Sequence, residues 1–135
     1  MKVVLDTNVL LAAFAFGGVC NSILQECLAN HHIILSEHIL NEFSRHLSGK
    51  FGHSQADTKQ RLDFLREVAQ IVELDNITDG CRDKDDLPVL GTLTAGQADC
   101  LVTGDKDLLI PRQFKGLPIL SPRQFKMVGN GRPYS

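Results

Sequence analysis

Apolar and polar positions alternate along the chain in two patterns that predict two kinds of element. Five short apolar segments are predicted to form strands: Lys2–Leu5, His32–Leu35, Ile71–Leu74, Cys100–Thr103 and Leu117–Leu120. Between them, apolar residues recur at the spacing that places side chains on one face of a helix. Short strands that alternate with helices predict an α/β fold with a mainly parallel sheet of about five strands.

Capping residues indicate where the predicted helices begin. Asn21–Ser22 and Ser36 are N-cap candidates, a third helix is predicted from near Asp57, and Ser121–Pro122 pairs an N-cap with a proline in the first turn. The residues predicted on the buried faces are Ile23, Leu24, Cys27 and Leu28, then Ile39, Leu40, Phe43 and Leu47, then Leu62, Leu65, Val68 and Ala69, and finally Phe125.

The middle of the chain is predicted to contain two loops and a short helix. Lys50–Gln55 and Asp75–Asp86 are rich in polar residues and glycine, which favours loops. Leu87–Ala95 is predicted to be helical, because Pro88 is tolerated only in a first turn. Gly91 is expected to weaken this helix by up to about 1 kcal/mol relative to alanine.

Length and composition fit one globular domain. The chain has 135 residues, of which 43% are hydrophobic, and we assign residues 1–128 to a single domain and expect 129–135 to fray. No apolar run approaches the roughly 20 residues that span a bilayer. Asp6 interrupts the apolar start too early for a signal peptide. We therefore expect a cytoplasmic protein with no membrane partner.

Charge, cysteine and histidine patterns exclude several kinds of site. A net charge of −2 argues against a polybasic nucleic-acid binder, but it allows a protein that recruits positive charge as a metal ion. No CxxC pair occurs, so we interpret the four cysteines as buried or half-buried thiols in a reducing cytosol: Cys20, Cys27, Cys81 and Cys100. No histidine has a second ligand at zinc spacing, so all five are interpreted as loop or helix-surface residues: His31, His32, His38, His46 and His53.

Two acidic residues follow predicted strands. Asp6 comes directly after the first strand, and Asp105 follows the Cys100–Thr103 strand after Gly104. Gly104 is expected to let the backbone turn sharply there. Because ligands gather at the carboxyl ends of parallel strands, we expect both carboxylates at the same edge of the sheet.

Further acids lie on or beside predicted helices. Glu42 lies about one and a half turns into the helix that begins after Ser36, among apolar residues. Asp86, or its neighbour Asp83 or Asp85, lies where the acidic loop meets the next helix. The alternative is that these acids only cap helices and solvate loops, and this interpretation is favoured for Asp83 and Asp85 individually.

Four carboxylates from four separate segments would repel one another if they met without a counterion. A hard divalent cation with oxygen ligands removes this penalty. Mg²⁺ or Mn²⁺ held in this way activates water and stabilises developing charge on a phosphodiester. The pattern therefore predicts a metal-dependent site that acts on nucleic acid without a basic groove.

The residues around these acids resemble the motifs of a known family. Val3–Leu10 resembles the opening motif of PIN-domain ribonucleases, and Leu35–Glu42 is similar to their second motif, which supplies a helix-borne glutamate. Arg82–Asp86 and Ala98–Leu109 resemble the third and fourth motifs. Ile119–Phe125 is similar to the ending of VapC-like toxins of toxin–antitoxin systems. The motifs occur in the family's order over nearly the whole chain.

This resemblance implies a three-layer α/β/α, Rossmann-like PIN domain that cleaves single-stranded RNA. It implies an acidic quartet that binds Mg²⁺ or Mn²⁺: Asp6, Glu42, Asp86 and Asp105. By the same resemblance, Asn8 and Thr103 support the site through hydrogen bonds, and Asp107 contributes at its margin. It further implies a homodimer and a cognate antitoxin encoded beside the toxin. Asp86 is preferred to Asp83 because the family's third acid directly precedes a helix.

The chain departs from the family pattern at two positions that are not presumed ligands. Family members often have proline where Lys84 stands, ahead of the third acid, and the toxin subgroup often has glutamate where Gln124 stands. The first departure changes the loop that positions Asp86.

Other classes of protein fit these residues less well. A haloacid-dehalogenase-type phosphatase requires a second acid where the chain has Asn8. A receiver-type phosphoacceptor requires an aspartate mid-chain, which Ile33–Ser36 lacks. Neither glycine-rich nucleotide motifs nor a GxSxG elbow occurs in the sequence. The remaining alternative is a PIN-fold interaction module that binds a partner and cleaves nothing.

Overall fold

The structure is a computed structural model, and it describes residues 1–129. In this range the strands are β1 Lys2–Leu5, β2 His32–Ser36, β3 Ala69–Val72, β4 Cys100–Val102, β5 Gln113–Phe114 and β6 Leu117–Leu120. The helices are α1 Thr7–Ala15, α2 Gly18–Asn30, α3 Glu37–Ser48, α4 Gln55–Val68, α5 Leu87–Ala95, α6 Lys106–Leu109 and α7 Pro122–Gly129. A 3₁₀ turn, Lys84–Asp86, leads into α5. Of the tail predicted for 129–135, Gly129 ends α7 and residues 130–135 lie outside the described range.

The strands form one sheet in the order β3-β2-β1-β4-β6-β5. All neighbouring pairs are parallel except β5 with β6. The chain builds outward from β1 to β3 and then returns to place β4 on the other side of β1. Loops diverge at such a switch point and leave a crevice at the carboxyl ends of the strands. The predicted α/β fold with a mainly parallel sheet is confirmed, and the additional strand, β5, is too short to show an alternating pattern.

Helices cover both faces of the sheet. Consecutive strand residues point to opposite faces, yet Val3, Val4 and Leu5 of β1 are each 0% exposed. Every residue of β4 is also buried. Continuous burial of this kind is typical of a parallel sheet between two helical layers. It agrees with the three-layer α/β/α arrangement that the motifs implied.

The first two helices differ most from the sequence prediction. The pattern does not predict α1, because Thr7–Ala15 is apolar on nearly all sides and therefore lacks helical alternation. The next helix begins at Gly18 and not after Asn21–Ser22, because Gly17 and Gly18 have φ of 73° and 62° and turn the chain between the helices. No single described helix is long and apolar enough to cross a bilayer, and α1 with α2 reaches that length only across a 106° break.

Helix α4 and strand β3 both begin earlier in the chain than predicted. Ser54 caps α4 by accepting a 3.1 Å hydrogen bond from the Asp57 backbone N–H, so Asp57 lies in the first turn and does not start the helix. β3 spans Ala69–Val72 and not Ile71–Leu74, because pairing with β2 along its length fixes the register. Of the face predicted for this helix, one residue is buried and three are half-buried: Leu65, then Leu62, Val68 and Ala69.

Several other predicted features are confirmed. Ser36 caps α3 by accepting a hydrogen bond of 3.4 Å from the Ile39 backbone N–H. Pro88 lies in the first turn of α5, and α7 begins at Pro122 and buries Phe125. The predicted face of α3 is fully buried: Ile39, Leu40, Phe43 and Leu47.

The four cysteines are free thiols, and their predicted burial is confirmed. Cys27 and Cys100 are buried, and desolvation raises the pKa of each to about 12. Cys20 and Cys81 are half-buried, and desolvation raises the pKa of both thiols. All four therefore remain protonated near neutral pH and are poor nucleophiles and metal ligands.

Gly91 lies where α5 touches the preceding loop. The Asp75 backbone N–H donates a 3.2 Å hydrogen bond to the Gly91 carbonyl, and a Cβ atom on Gly91 would lie 2.4 Å from the Asp75 carbonyl oxygen. The glycine that was expected only to weaken the helix thus permits a close backbone approach.

Substitution of Gly91 by alanine is expected to lower the free energy of unfolding by about 1–3 kcal/mol, although alanine has the higher helix propensity. Urea unfolding followed by circular dichroism measures the change. Gln25→Ala, at an exposed position of α2, is the control and should alter stability by less than about 0.5 kcal/mol. A Gly91→Ala protein as stable as the wild type would contradict the close approach.

Candidate active site

Four acidic side chains from four segments line one cleft at the carboxyl ends of the strands. Asp6 lies between β1 and α1, Glu42 lies on α3, Asp86 ends the 3₁₀ turn, and Asp105 lies between β4 and α6. The cleft has a volume of about 220 Å³. Its remaining lining residues are Thr7, Asn8, Leu11, His46 and Lys50. The structure thus brings together the four carboxylates that the sequence placed at one edge of the sheet.

Asp6 is the most buried of these carboxylates, with 4% of its surface exposed. Its Oδ1 accepts a 2.7 Å hydrogen bond from the Thr7 backbone N–H, and its Oδ2 accepts bonds from Thr103 Oγ1 at 2.7 Å and Asn8 Nδ2 at 3.2 Å. A carboxylate offers about four acceptor positions, so these three donors fix its orientation and leave acceptor capacity for a ligand. Desolvation nevertheless raises the pKa of Asp6, because burial penalises its charge.

Asn8 and Thr103 connect the end of β1 to the end of β4. Thr103 is 0% exposed, and its Oγ1 also accepts a 3.0 Å hydrogen bond from the Asp105 backbone N–H. Asn8 Oδ1 accepts a 2.9 Å bond from the Gly104 backbone N–H. The same two side chains that bind Asp6 therefore also position the loop that carries Asp105.

Gly104 is not among the residues with positive φ, so the backbone between β4 and Asp105 does not require the conformational freedom of glycine. A Cβ atom there would lie 3.3 Å from Asn8 Oδ1, closer than ordinary contact. The position instead permits a close approach between the β4 loop and Asn8.

Glu42 is held by side chains on two helices. His38 Nε2 lies 3.0 Å from Glu42 Oε1, and Arg45 Nη2 lies 3.8 Å from Glu42 Oε2. Thr7 Oγ1 donates a weaker hydrogen bond to Glu42 Oε1 at 3.5 Å. The carboxylate is half-buried and has a basic side chain near each of its two oxygens.

Asp86 is the least satisfied acid of the cleft. Its Oδ2 is buried and has no hydrogen-bond partner among the described residues. Desolvation and the nearby charge of Asp105 raise the pKa of Asp86 to about 7. Asp83 and Asp85, the alternatives at this position, are exposed, and Asp83 caps the 3₁₀ turn by accepting a hydrogen bond from the Asp85 N–H at 2.9 Å.

A second acidic grouping shares Asp86 with the cleft. Oxygen atoms of Asp83, Asp86 and Asp107 lie within 4.8 Å of one another. However, Asp107 already accepts hydrogen bonds of 2.6 Å and 3.0 Å from Arg82, and the side chain of Asp83 is used as a cap. Arg82 neutralises this grouping in part, so the more buried cleft around Asp6 is the better candidate for a metal. Asp107 is not among the residues that line that cleft.

The residues present fit a hard divalent cation. The four side chains offer only oxygen donors, which Mg²⁺ and Mn²⁺ prefer. The orphaned oxygen of Asp86 and the raised pKa values of Asp6 and Asp86 show that this arrangement of negative charge is unfavourable without a counterion.

Two lining residues were not identified from the sequence. His46 and Lys50 were interpreted as a surface residue and part of a loop, yet both line the cleft. For His46 the missed signal is its spacing, because it lies one helical turn after Glu42 on α3 and therefore on the same side of the helix. Lys50 lies in the turn after α3 ends at Ser48, so helical spacing does not reach it.

Comparison with known proteins gives a family and a fold. A family model described as PIN domain matches residues 2–107. No curated protein matches the chain at a significant level. Among solved structures, the chain is similar to VapBC2 from Rickettsia felis bound to a DNA fragment from their promoter. The TM-score is 0.63 with 18% sequence identity, and the match covers 90% of this chain and 98% of that chain.

The stability of the metal-free protein should depend on Asp86 and pH. Because the pKa of Asp86 in the folded protein is about 7 and its ordinary value is 3.8, the folded state retains a proton that the unfolded chain has lost. Its contribution to stability therefore decreases as pH rises between these values. In EDTA, the melting temperature of the wild type should fall relative to that of Asp86→Asn between about pH 5 and pH 8. Asp85→Asn should follow the wild type, and an Asp86→Asn protein that did the same would contradict the raised pKa.

Binding of Mn²⁺ should stabilise the wild type, because the ion relieves repulsion among the carboxylates. At ten times the Kd, the melting temperature is expected to rise by about 4 °C at neutral pH. Differential scanning fluorimetry measures this rise, which Asp6→Asn should abolish and Asp85→Asn should retain. An unchanged melting temperature of the wild type in millimolar Mn²⁺ would show that the cleft does not hold the ion.

Proposed function

Because the chain belongs to the PIN domain family, we propose that it is a metal-dependent endoribonuclease that cleaves single-stranded RNA. The observation that carries this proposal is the convergence of Asp6, Glu42, Asp86 and Asp105 on one cleft at the switch point of the sheet. If these acids served only as helix caps or solvated groups, we would not expect them to line one cleft. We would also not expect one of them, Asp86, to have a buried oxygen without a partner.

The four carboxylates would hold Mg²⁺ or Mn²⁺. A bound ion of this kind supplies an activated water and stabilises the negative charge that develops on the phosphodiester. The protein's own contribution is the fixed position of the ligands. Thr103 and Asn8 hold Asp6 in one orientation, and Thr7 donates a hydrogen bond to Glu42. Such preorganisation avoids reorganisation during the reaction.

We further propose that the protein is the toxin of a toxin–antitoxin pair. The motif resemblance to VapC-like toxins supports this assignment, as does the similarity in fold to VapBC2, a structure determined with promoter DNA. In this proposal the protein is cytoplasmic, forms a homodimer and is inhibited by a cognate antitoxin.

Cleavage of end-labelled single-stranded RNA tests the nuclease assignment. With Mg²⁺ or Mn²⁺, the wild type should cleave, and EDTA should abolish cleavage. Asp6→Asn is expected to reduce the rate at least about 100-fold while the circular dichroism spectrum stays unchanged, because the substitution removes a ligand charge at the centre of the cleft. Wild-type turnover by Asp6→Asn would reveal a contaminating nuclease or a wrong site. A folded wild type that cleaves none of several RNAs would instead favour the interaction module.

The third acid is tested by comparing three alanine variants. Asp86→Ala should abolish metal-dependent cleavage, because Asp86 is the acid of the 3₁₀ turn that lines the cleft. Asp85→Ala should retain activity, and Asp83→Ala should reduce it only moderately through loss of the cap. Loss confined to Asp83→Ala would show that the second acidic grouping is the catalytic one.

A further inference from the structure

The cleft is lined by both acidic and basic side chains. Asp86 and Asp105 are among its acidic residues, and Asp83 and Asp107 form the second acidic grouping with Asp86. His46 on α3 and Lys50 in the turn after α3 add basic side chains to the lining of the same cleft. A chain of phosphates that enters the cleft is repelled by the acidic residues and attracted by the basic ones.

His46 and Lys50 are available to a ligand. Neither side chain makes a hydrogen bond or an ion pair with any residue in the described range 1–129. Lys50 is exposed and His46 is half-buried. In contrast, Arg82 and Lys59 are paired with Asp107 and Asp63. The nitrogen atoms beside the cleft are therefore unpaired, unlike several others on the surface.

Two aromatic rings pack against each other at the residue after Lys50. Phe51 directly follows Lys50, and its ring packs edge-to-face on Phe16 with the centroids 5.5 Å apart. Phe51 is half-buried against the core, whereas Phe16 is 74% exposed. Phe16 caps the C-terminus of α1, directly before Gly17 and Gly18, whose positive φ angles turn the chain away. The ring of Phe16 is thus held in solvent by a fixed turn and by its contact with Phe51.

We propose that His46, Lys50, Phe51 and Phe16, which we call the basic–aromatic strip, bind the RNA strand on one side of the scissile bond. This inference rests on the proposed function. Lys50 and His46 contact a backbone phosphate outside the acidic centre, and a base stacks on the exposed ring of Phe16. Positive side chains that follow the backbone, together with aromatic rings that stack bases, are how proteins bind single strands without reading their sequence.

A protein segment is the other possible occupant of an exposed phenylalanine. The composition of the strip favours RNA, because His46 and Lys50 line the cleft that would hold the scissile phosphate, and Phe51 directly follows Lys50 in the chain. The unpaired nitrogens of His46 and Lys50 can bind a phosphate, and the exposed ring of Phe16 can stack with a base. An apolar peptide segment would leave Lys50 and His46 without partners.

Fluorescence anisotropy with a fluorescein-labelled oligouridine tests the strip directly. The Asp6→Asn protein in Mg²⁺ serves as the background, so that binding is measured without cleavage. Lys50→Gln should weaken binding and reduce the slope of log Kd against log salt by about 0.7, because one phosphate contact is lost. Phe16→Leu should raise Kd about fivefold or more and leave the slope unchanged, because stacking does not release counterions.

Matched controls separate these effects from general changes of charge or packing. Lys59→Gln removes one positive charge from α4, and Phe64→Leu alters a partly exposed phenylalanine on the same helix. Both should bind oligouridine as the background protein does. With active protein, Lys50→Gln and Phe16→Leu should raise KM for the RNA severalfold and leave kcat within about twofold, because they act on binding of the strand and not on the reacting atoms.

Measurements of oligouridine binding and of RNA cleavage test the basic–aromatic strip and the nuclease assignment separately. Binding that depends on Lys50 and Phe16 in the Asp6→Asn background supports the strip even if the wild type does not cleave. If the wild type cleaves but Lys50→Gln and Phe16→Leu bind like the controls, the strip is wrong and the nuclease assignment stands. Oligouridine binding that is unaffected by Phe16→Leu would overturn the stacking role and leave a protein partner as the occupant of Phe16.

Discussion

Electrostatic repulsion within the cleft is the constraint on which the rest of the site depends. The fold places Asp6 after β1 and Asp105 after β4, which are neighbours at the switch point, and adds Glu42 and Asp86 from two other segments. Burial raises the pKa of Asp6, and burial together with the charge of Asp105 raises the pKa of Asp86 to about 7, so Asp86 in the metal-free folded chain retains a proton near pH 6 that a free aspartate would lose. A divalent cation can bind the same carboxylate oxygens in place of a proton and neutralise their negative charge.

The scaffold holds this unfavourable arrangement in place. The continuous burial of β1 and β4 fixes the two strand ends, and Thr103 and Asn8 bind both Asp6 and the loop that carries Asp105. These neutral donors orient the carboxylates without neutralising them. The oxygens of Asp6 therefore keep acceptor capacity for a metal, and the hydrogen bonds fix the position of Asp6 relative to the loop that carries Asp105.

Much of this arrangement could be predicted from local sequence, and the rest depends on tertiary packing. The positions of Asp6 and Asp105 follow from strands that end in acids, because parallel strands share a carboxyl edge. Which of Asp83, Asp85 and Asp86 enters the cleft depends on how the short 3₁₀ turn packs. A periodic pattern of apolar residues does not predict this packing. Helix α1 was missed because it is apolar on nearly all sides. His46 was missed because it was judged alone and not by its spacing from Glu42 on α3, and Lys50 was missed because it lies in the turn after that helix.

The most direct test of the account is the number of protons that Mn²⁺ displaces when it binds. Isothermal titration calorimetry of Mn²⁺ in two buffers of different ionisation enthalpy gives this number. Because the pKa of Asp86 is about 7 in the metal-free protein, binding should release protons at about pH 6 and release almost none at about pH 8.5. Asp86→Asn should lose the release at the lower pH. Binding at about pH 6 with no proton release, or no binding at either pH, would contradict the account of a cation that replaces protons on crowded carboxylates.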